Sequence, residues 1–521
     1  MYVDVRADKK LPDCPDAQAA FSPVIEAVCS SAASLSGTRL VFDWIQYRNN
    51  FREPVVCRPL LAGAGTGDLG PGAGPDGEAV GARGAGTRPG PGRGTLPATA
   101  LEVAVDLRRA ADVDLATVVK EALAQQLAPP ATEPSRPGAG IVLEPWLPGR
   151  DSCIWRFNTL YWQALSHWEK ATGREYEQAL PGGESDARNK EAVRELIGEL
   201  LQTWDDLDAR RALPEELYVL ELGVGNGNQA RTFLDAFAEA DRAHGREYYR
   251  RLHYLMGDYS PHVLERARRA VAHHGEHVNA LVLDATRPSV TLGFLAGKTF
   301  LVYISNVYDN LPTDEVASIR GRPYRAEVRA YLRDGDADRI SRRFACTPQQ
   351  LASLTGRLLR IGPELLSESM PQHFAGVDEA VGFWRDTWAA LRLQERYVPL
   401  EGLDTYEVTP SLTGEILRPL LEGGGDIRMH VNNGTLSSFA DTLPLLHPFG
   451  RIQCHDLFLT SHNGYSSGFY GPGKYDGSVV NWVNGPLLRL LGNRRGFDVS
   501  FAPFRQRPGS NVKTLTAQVR D

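Results

Sequence analysis

The segment LYVLELGVGNGNQARTFL, residues 217 to 234, joins an apolar run to a helical pattern through a glycine-rich turn. The apolar run predicts a buried strand. Gly223, Gly225 and Gly227 permit positive φ and let a ligand approach the backbone. Apolar residues then recur at helical spacing from Ala230 onward. A strand, a glycine turn and a helix N-terminus together predict a site for a polar or anionic group. The alternative is a helix start that needs glycine for its geometry alone.

The spacing of these glycines does not fit a dinucleotide site. A dinucleotide fingerprint, G-x-G-x-x-G or G-x-G-x-x-A, needs a small third residue so that the helix can pack closely. Counted from Gly223, that position is Asn228. The turn instead reads E-x-G-x-G-x-G, beginning at Glu221. An NAD-dependent oxidoreductase is therefore disfavoured.

Three later strand-like runs also end in polar residues. LHYLMGD ends at Asp258, VNALVLD ends at Asp284, and FLVYIS ends at Ser305. Because the carboxyl ends of parallel strands meet at one edge of a sheet, these side chains are expected at one cleft. A carboxylate there can accept hydrogen bonds from both ribose hydroxyls. A single strand-end acid is more often a helix cap or a solvated end, so the evidence lies in the order of all three.

That order resembles the motifs of the class I S-adenosylmethionine (SAM) methyltransferases. The resemblance implies that Glu221 orders the glycine turn and meets the amino group of the cofactor. It also implies that Asp258 binds the ribose and that Asp284 binds the adenine amino group. The residues that it implies for SAM binding are Glu221, Gly223, Gly225, Gly227, Asn228, Asp258, Tyr259, Asp284, Ala285 and Ser305.

The stretches ELGVGNGNQARTFLDAF, HYLMGDYSPHVLERAR and SNVYDNLP together resemble the MidA-like methyltransferases. That family combines a glycine motif and a long first helix with an acid before x-S-P and an N-x-x-D-x-L-P run. The resemblance covers about residues 215 to 315 and, more loosely, 440 to 519. Val224 and Asn226 depart from it, since the family tends to have a proline and a basic residue there. Some members are protein arginine methyltransferases, but that substrate is not carried over.

The fold class expected is α/β, because strand-like and helical runs alternate from about residue 151. We expect a Rossmann-like, seven-stranded class I methyltransferase sheet over 151–521, closed by an antiparallel hairpin of FDVSF and VKTLTAQV. Residues 1–62 and 98–150 are expected to form a smaller α/β part that ends in a Pro-rich linker. Residues 63–97 are Gly-rich and contain almost no large apolar side chains, which predicts a disordered linker or loop.

The fourth and fifth strands of the predicted sheet are separated by far more residues than one crossover helix needs. A capping box joins Thr347 to Gln350 at the start of one predicted helix. The run VDEAVGFWRDTWAALRLQERY predicts another, whose aromatic residues are expected to pack rather than to bind substrate. We therefore expect a helical insertion, about 313–425, at the edge of the sheet where an acceptor must enter.

Methyl transfer needs alignment, exclusion of water and, for some acceptors, a base. The catalytic candidates are Asn306, to orient an acceptor N–H or O–H, and Asp309, to accept its proton; for Asp309 a turn role in YDNLP is the alternative. A loop rich in Gly, Tyr, His and Asn follows the fifth strand, at the ligand-binding edge of such sheets. The candidate substrate-binding residues there are His455, Asp456, His462 and Tyr465. No metal is expected, because the two histidines lack a second cluster of ligands.

Composition excludes several other classes. The formal net charge is -7 and the pI is about 6.0, which disfavours nucleic-acid binding. The 6 cysteines contain no C-x-x-C pair, so neither structural zinc nor a disulfide framework is expected. The N-terminus lacks the pattern of a signal peptide, and no apolar run is long enough to span a membrane, so a cytoplasmic location is expected.

The sequence thus predicts a SAM-dependent methyltransferase acting on an N or O acceptor, either a protein side chain such as arginine or a small molecule. One alternative is an aminopropyl-type transferase of the same fold. Another is a non-catalytic assembly factor, which the acids Glu221, Asp258 and Asp284 disfavour because they imply a bound ligand. The acceptor, the oligomeric state and the role of residues 1–150 are not predicted.

Overall fold

The structure is a computed structural model, and it describes only part of the chain. The described residues are 3–7, 15–31, 37–43, 47, 49–61, 100–127, 140–176, 190–423, 425–465, 470–506 and 508–520. The Gly-rich linker predicted for 63–97 and nearly all of the Pro-rich stretch at 128–140 lie outside them.

The described residues of the first part of the chain form two α-helices and four strands. One helix begins after Asp114, whose carboxylate accepts hydrogen bonds from the Ala116 N–H (3.1 Å) and the Thr117 hydroxyl (2.6 Å). These bonds cap the helix, since they satisfy N–H groups that have no helical partner. The elements are β1 (Val3–Ala7), α1 (Pro15–Ser31), β2 (Thr38–Phe42), β3 (Val55–Leu60), β4 (Ala100–Val105) and α2 (Leu115–Leu127).

A largely helical segment leads into an alternating strand–helix region. The leading segment contains β5 (Ile141–Val142), β6 (Leu147–Pro148), α3 (Cys153–Gln163), α4 (Leu165–Thr172) and α5 (Lys190–Ala209). The alternating region contains β7 (Leu217–Leu222), α6 (Asn228–Ala243), β8 (Leu252–Asp258), α7 (Pro261–Ala270), β9 (Val278–Val282), α8 (Ser289–Leu292) and β10 (Thr299–Ser305).

The region predicted as a helical insertion contains strands as well as helices. Its elements are β11 (Asp314–Ile319), β12 (Arg322–Leu332), α9 (Asp334–Arg343), α10 (Pro348–Ser369), α11 (Val377–Ala390), β13 (Arg392–Pro399), β14 (Glu407–Thr409), β15 (Leu412–Thr413), α12 (Arg418–Leu421) and β16 (Ile427–Val431). The predicted capping box at Thr347 is present, and its backbone N–H donates to the Gln350 side chain (2.8 Å). The helix expected to run from Val377 to Tyr397 instead ends at Ala390, and the chain then forms strand β13.

The last part of the chain returns to the alternating region. Its elements are α13 (Asn433–Thr442), β17 (Leu446–Asp456), β18 (Phe458–Leu459), β19 (Gly473–Tyr475), β20 (Ser478–Val480), β21 (Val483–Asn484), α14 (Gly485–Arg494), β22 (Phe497–Pro503) and β23 (Lys513–Val519).

One sheet of seven strands has the order β22-β23-β17-β10-β7-β8-β9. The strands from β17 to β9 are parallel, and β23 pairs antiparallel with both β17 and β22. Successive residues of β7 enter different apolar clusters, with Val219 on one face and Leu220 on the other. Burial on both faces explains why this strand reads as a continuous apolar run. The expected α/β fold with a mixed sheet is confirmed.

A second sheet has ten strands, and these come from both sides of the predicted domain boundary at residue 150. Its path is β1-β2-β4-β3-β13-β12-β11-β16, and β5 and β6 also pair with β12. The junction is at Leu60, which pairs with Tyr397 across β3 and β13. The predicted boundary at residue 150 therefore does not separate two sheets, because strands from the first part and from the insertion share their hydrogen bonds.

Buried ion pairs hold the middle of this second sheet. The Arg58 guanidinium contacts three carboxylates: Asp43 (3.0 Å), Glu102 (2.8 Å) and Glu395. Arg428 pairs with Glu395 at 2.8 Å. Each partner comes from a different strand or loop, so the network links residues far apart in sequence. None of the described helices is both long and apolar enough to cross a membrane.

Candidate functional site

A cavity of about 970 Å³ lies at the carboxyl ends of β7, β8, β9 and β10. Such an edge gathers the residues that follow each strand, as expected for open α/β sheets. Most of the residues predicted to bind the cofactor line it, namely Glu221, Gly223, Gly225, Asp258, Tyr259, Asp284, Ala285 and Ser305. Both catalytic candidates, Asn306 and Asp309, line it as well.

The glycine turn between β7 and α6 has the backbone that its sequence predicts. Gly223, Gly225 and Gly227 have φ of 75°, 56° and 80°, a region that side chains with a Cβ rarely adopt. A Cβ on Gly225 would also lie 2.6 Å from the hydroxyl oxygen of Tyr176. At Gly223 and Gly225 the turn thus presents backbone, rather than side chains, to the cavity.

Gly227 has a different role from the other two. A Cβ there would lie 2.7 Å from the Cα of Ala267, so this glycine lets α6 pack closely on α7. It does not line the cavity, and neither does Asn228, the first residue of α6. Instead, Asn226 lines the cavity, and its side-chain oxygen accepts the Asn228 backbone N–H (3.1 Å). Gly227 and Asn228 therefore lie outside the cavity lining, and for Gly227 the reason is its close approach to α7.

Glu221 is buried at the end of β7, and the Tyr254 hydroxyl donates a hydrogen bond to its Oε2 (2.7 Å). Burial raises the pKa of Glu221 to about 8, and the bond from Tyr254 only partly opposes this effect. The ligand-free side chain is therefore largely protonated at neutral pH. A positively charged ligand group at this position would favour its ionised form.

Asp258 ends β8, and its Oδ1 accepts the backbone N–H of Ser260 (3.0 Å). Burial raises the pKa of Asp258 to about 6, although backbone N–H groups of Ser260, Gly225 and Tyr259 act in the opposite direction. The next helix begins with Ser260 as its cap and Pro261 at its first position. Asp258, just before this cap, lines the cavity.

Asp284 follows β9 and Asn306 follows β10, and the two differ in exposure and in backbone conformation. Asp284 is exposed at the cavity edge and accepts hydrogen bonds from the Thr286 N–H (2.8 Å) and hydroxyl (2.7 Å). Asn306 follows β10 with φ of 52°, a left-handed conformation that asparagine tolerates better than most residues. Its N–H donates to the His455 carbonyl (3.0 Å), which places this strained residue at the cavity wall.

Asp309 and Asp456 form a buried acid pair at one end of the cavity. The Asp456 carboxylate accepts the backbone N–H of Tyr308 (2.9 Å) and of Asp309 (3.3 Å). Burial and the neighbouring Asp456 raise the pKa of Asp309 well above its ordinary value. Burial also raises the pKa of Asp456, against several backbone N–H groups. Two adjacent carboxyls of this kind favour a state with one shared proton.

The predicted substrate-binding residues do not line the cavity. His455 points to β23, where its Nδ1 lies 2.9 Å from the Thr514 hydroxyl. Asp456, the next residue of the strand, points to the opposite face, where its carboxylate accepts the backbone N–H of Asp309. His462 and Tyr465 lie on a short helical turn after β18, where Tyr465 is buried against the His430 ring. The composition of the loop after the fifth strand predicted ligand contacts. Its first part, with His462 and Tyr465, lies outside the cavity, whereas its later part, from Tyr475 to Val480, contributes to the lining.

The wall opposite the strand ends was not predicted. It comes from α3 and α4, from the β19–β20 hairpin and from residues 508–512. Asn158 joins two of these parts, because its side chain donates to the Asn310 carbonyl (2.9 Å) and accepts the Val479 N–H (2.9 Å). The aromatic residues in this wall are Tyr47, Trp155, Tyr161, Trp162, Tyr176 and Tyr475. The aromatic richness of CIWRFNTLYWQ was the one sequence signal that could have identified it.

The cavity is lined by acidic side chains and, among the described residues, by no basic ones. The acids are Glu221, Asp258, Asp284, Asp309 and Asp476. Of these, Asp476 already has a cation, Arg174 at 3.2 Å. Three buried polar atoms at the wall also have no hydrogen-bond partner within the described residues: Gln229 Oε1, Ser305 Oγ and Asn310 Oδ1. Acidic walls and unpaired polar atoms fit a ligand that is cationic and rich in hydrogen-bond donors.

The sequence matches no protein-family model and no curated protein. Several solved structures are similar to the chain. A Burkholderia thailandensis protein bound to S-adenosyl-homocysteine matches with a TM-score of 0.41 and 15% identity, over 72% of this chain and 88% of that one. An uncharacterized protein from the same organism matches with a TM-score of 0.39 and 14% identity, over 72% and 87%. DszA carbon methyltransferase matches with a TM-score of 0.31 and 14% identity, over 72% and 67%. At these values the function has to be argued from the residues of the cavity.

Proposed function

We propose that the protein is a SAM-dependent methyltransferase of class I, with SAM bound along the carboxyl ends of β7 to β10. The observation that carries the proposal is the combination of a positive-φ glycine turn with Glu221 and Asp258 on neighbouring strand ends, in a cavity with acidic walls. SAM carries positive charge at its sulfonium and amino groups and a ribose diol, which such a wall would accommodate. Within the class, the sequence motifs favour the MidA-like family.

When bound, SAM would supply an activated methyl group, so the chain has to align and desolvate the acceptor. Asn306, at the strained turn after β10, would orient an acceptor N–H or O–H. In its ionised form, Asp309 would take the proton that an N or O acceptor loses, and its raised pKa would make that carboxylate a better base than an ordinary aspartate. The Asp456 carboxylate would hold Asp309 in place by accepting the backbone N–H of Asp309. The wall formed by α3 and the hairpin would exclude water from this end.

The first test is calorimetric titration of the purified protein with S-adenosylhomocysteine, with NADH as the parallel control. We expect saturable binding of the first and none of the second. Asp258→Ala should weaken the binding of S-adenosylhomocysteine by about 2–4 kcal/mol, because two hydrogen bonds to a carboxylate are lost. Asp404→Ala, at an exposed position, is the matched control. Equal affinity in both variants would remove Asp258 from the site.

The same titration has a predicted pH dependence. The ribose hydroxyls would donate to ionised Asp258, whose pKa in the ligand-free protein is about 6. Through Asp258, affinity should fall as the pH is lowered through 6 to 5, because this carboxyl then has to release a proton on binding. Affinity that stays constant over this range would contradict the role given to the carboxylate.

A further inference from the structure

A group of side chains of the kind that bind metal ions lies outside the cavity, between α6 and the segment that follows α7. Asp235 projects from α6, and His273 and His274 belong to the 3-10 segment Ala272–His277 that follows α7. The three ligand atoms lie within 4.8 Å of one another. None of the three residues lines the cavity, so the group is separate from the site described above.

The donor atoms converge on one point. Nε2 of His273 and Nε2 of His274 each lie 2.9 Å from the same oxygen, Oδ1 of Asp235. Donor atoms on a tetrahedral zinc ion lie about 3.3 Å apart, given metal–ligand distances near 2.0–2.1 Å. A movement of a few tenths of an ångström would therefore open room for an ion. Asp235 and His273 are exposed and free to make that movement.

His274 is already oriented as a metal ligand. It is buried, and its Nδ1 lies 2.6 Å from the hydroxyl oxygen of Tyr249, so its Nε2 is directed at Asp235. A metal-bound imidazole usually donates its other N–H to an oxygen, which sets its tautomer and ring orientation. The Tyr249 hydroxyl is placed to accept that N–H. The local sequence AHHGEH also concentrates three of the chain's 12 histidines in five residues, as short metal-binding tracts do.

We propose that Asp235, His273 and His274 bind one divalent cation of the Zn²⁺ type, with water completing its coordination. Two imidazoles and one carboxylate form a donor set suited to zinc, cobalt and nickel ions, and less to calcium or magnesium. The ion would join α6 to the segment after α7 and so brace the two helices that follow the glycine turn and Asp258. This assignment differs from the expectation, drawn from the sequence, that the protein has no metal. It does not depend on the proposed methyltransferase activity.

The test uses the full chain without an affinity tag, freed of metal by a chelator and then dialysed. Calorimetric titration with Zn²⁺ should give one saturable site, and Co²⁺ should give the visible absorption of a four-coordinate ion. The melting temperature should rise when Zn²⁺ is added, because the ion binds the native state. Each of Asp235→Asn and His273→Ala should weaken Zn²⁺ binding by about tenfold or more, and Tyr249→Phe by less.

His262→Ala is the matched control, since His262 is an exposed histidine on α7 outside the group. It should leave Zn²⁺ affinity and the cobalt spectrum unchanged. Because Asp235 and His273 are exposed, both variants should melt like the parent in the absence of metal, so a loss of binding reports on the site. The proposal is overturned if the parent shows no saturable binding, or if the two ligand variants bind as tightly as the control. In that case the group is a hydrogen-bonded Asp–His–His cluster only.

Discussion

Glu221 in the seven-stranded sheet and Glu395 in the ten-stranded sheet are buried to the same degree, at 3% and 4% exposure, yet their pKa values shift in opposite directions. Burial raises the pKa of Glu221 to about 8, because the closest partner is a neutral hydroxyl. Burial would raise the pKa of Glu395 too, but the guanidinium groups of Arg428 and Arg58 hold it well below its usual range. The first glutamate lines the cavity at the strand ends, and the second does not line that cavity.

The contrast separates two uses of a buried acid. Where the protein supplies its own cation, the acid belongs to the architecture, and the ion pairs join strands from distant parts of the chain. Where no cation is supplied, the fold bears a cost in the ligand-free state that a cationic ligand could relieve. The strand ends of the seven-stranded sheet therefore form the candidate site, and the ion pairs of the ten-stranded sheet connect distant parts of the chain. The following substitutions test this division.

The largest effect is expected for Glu395→Gln. The amide cannot compensate Arg58 and Arg428, which would be left buried with one anion fewer. Removal of one partner from a buried ion pair typically costs about 3–5 kcal/mol of unfolding free energy. Chemical denaturation at pH 7 measures this cost. Glu401→Gln, at an exposed position, is the control and should be nearly neutral.

Asp309→Asn should lower methyl transfer by about 100-fold or more, because it removes the proposed base. Binding of S-adenosylhomocysteine should stay close to that of the parent, since Asp309 lies at the acceptor end. The assay is transfer of labelled methyl from SAM to candidate acceptors, with Asp404→Asn as the exposed control. Full transfer by the variant would make Asp309 a turn residue, the role that its YDNLP context also permits.

Glu221→Gln should have the opposite effect on stability from Glu395→Gln. The native pKa of Glu221 is above its unfolded value, so the stability that it contributes is present at low pH and is lost as the pH rises to about 8. A glutamine does not titrate, so it removes that loss. The melting temperature of the ligand-free variant should exceed that of the parent by more at pH 8 than at pH 5. Its affinity for SAM should fall. A lower melting temperature at pH 8 would contradict the division between the two sheets.

The smallest effect is expected from replacing residues 62–99 by a four-residue turn. The flanking strands β3 and β4 are antiparallel neighbours, and Leu60 pairs with Ala100, so a short turn can connect them. Closing a long loop costs only about 0.6 kcal/mol for each doubling of its length, so the melting temperature should stay equal or rise slightly. A marked fall would show that the segment packs against the rest of the protein.

The two walls of the cavity differ in how far the sequence predicted them. The strand-end wall was predicted almost residue by residue, because β7, β8 and β10 begin and end where the apolar runs do. Apolar runs, glycine turns and helix caps are local signals. The opposite wall was missed, because α3, the β19–β20 hairpin and Tyr47 come together only through long-range contacts such as those of Asn158. His455, predicted at the acceptor side, does not line the cavity, because alternation along β17 directs its side chain toward Thr514.

By itself, the sequence determined the α/β class, the glycine turn, the strand-end acids and the caps at Asp114, Ser260 and Thr347, since each depends on residues within one or two helical turns of each other. The tertiary structure alone decided that the insertion supplies strands, that those strands join the N-terminal ones through buried ion pairs, and that Asp456 pairs with Asp309. The physical reason is that hydrogen bonds between strands and the pKa of a buried acid depend on which distant residues pack beside them, and composition does not record those neighbours.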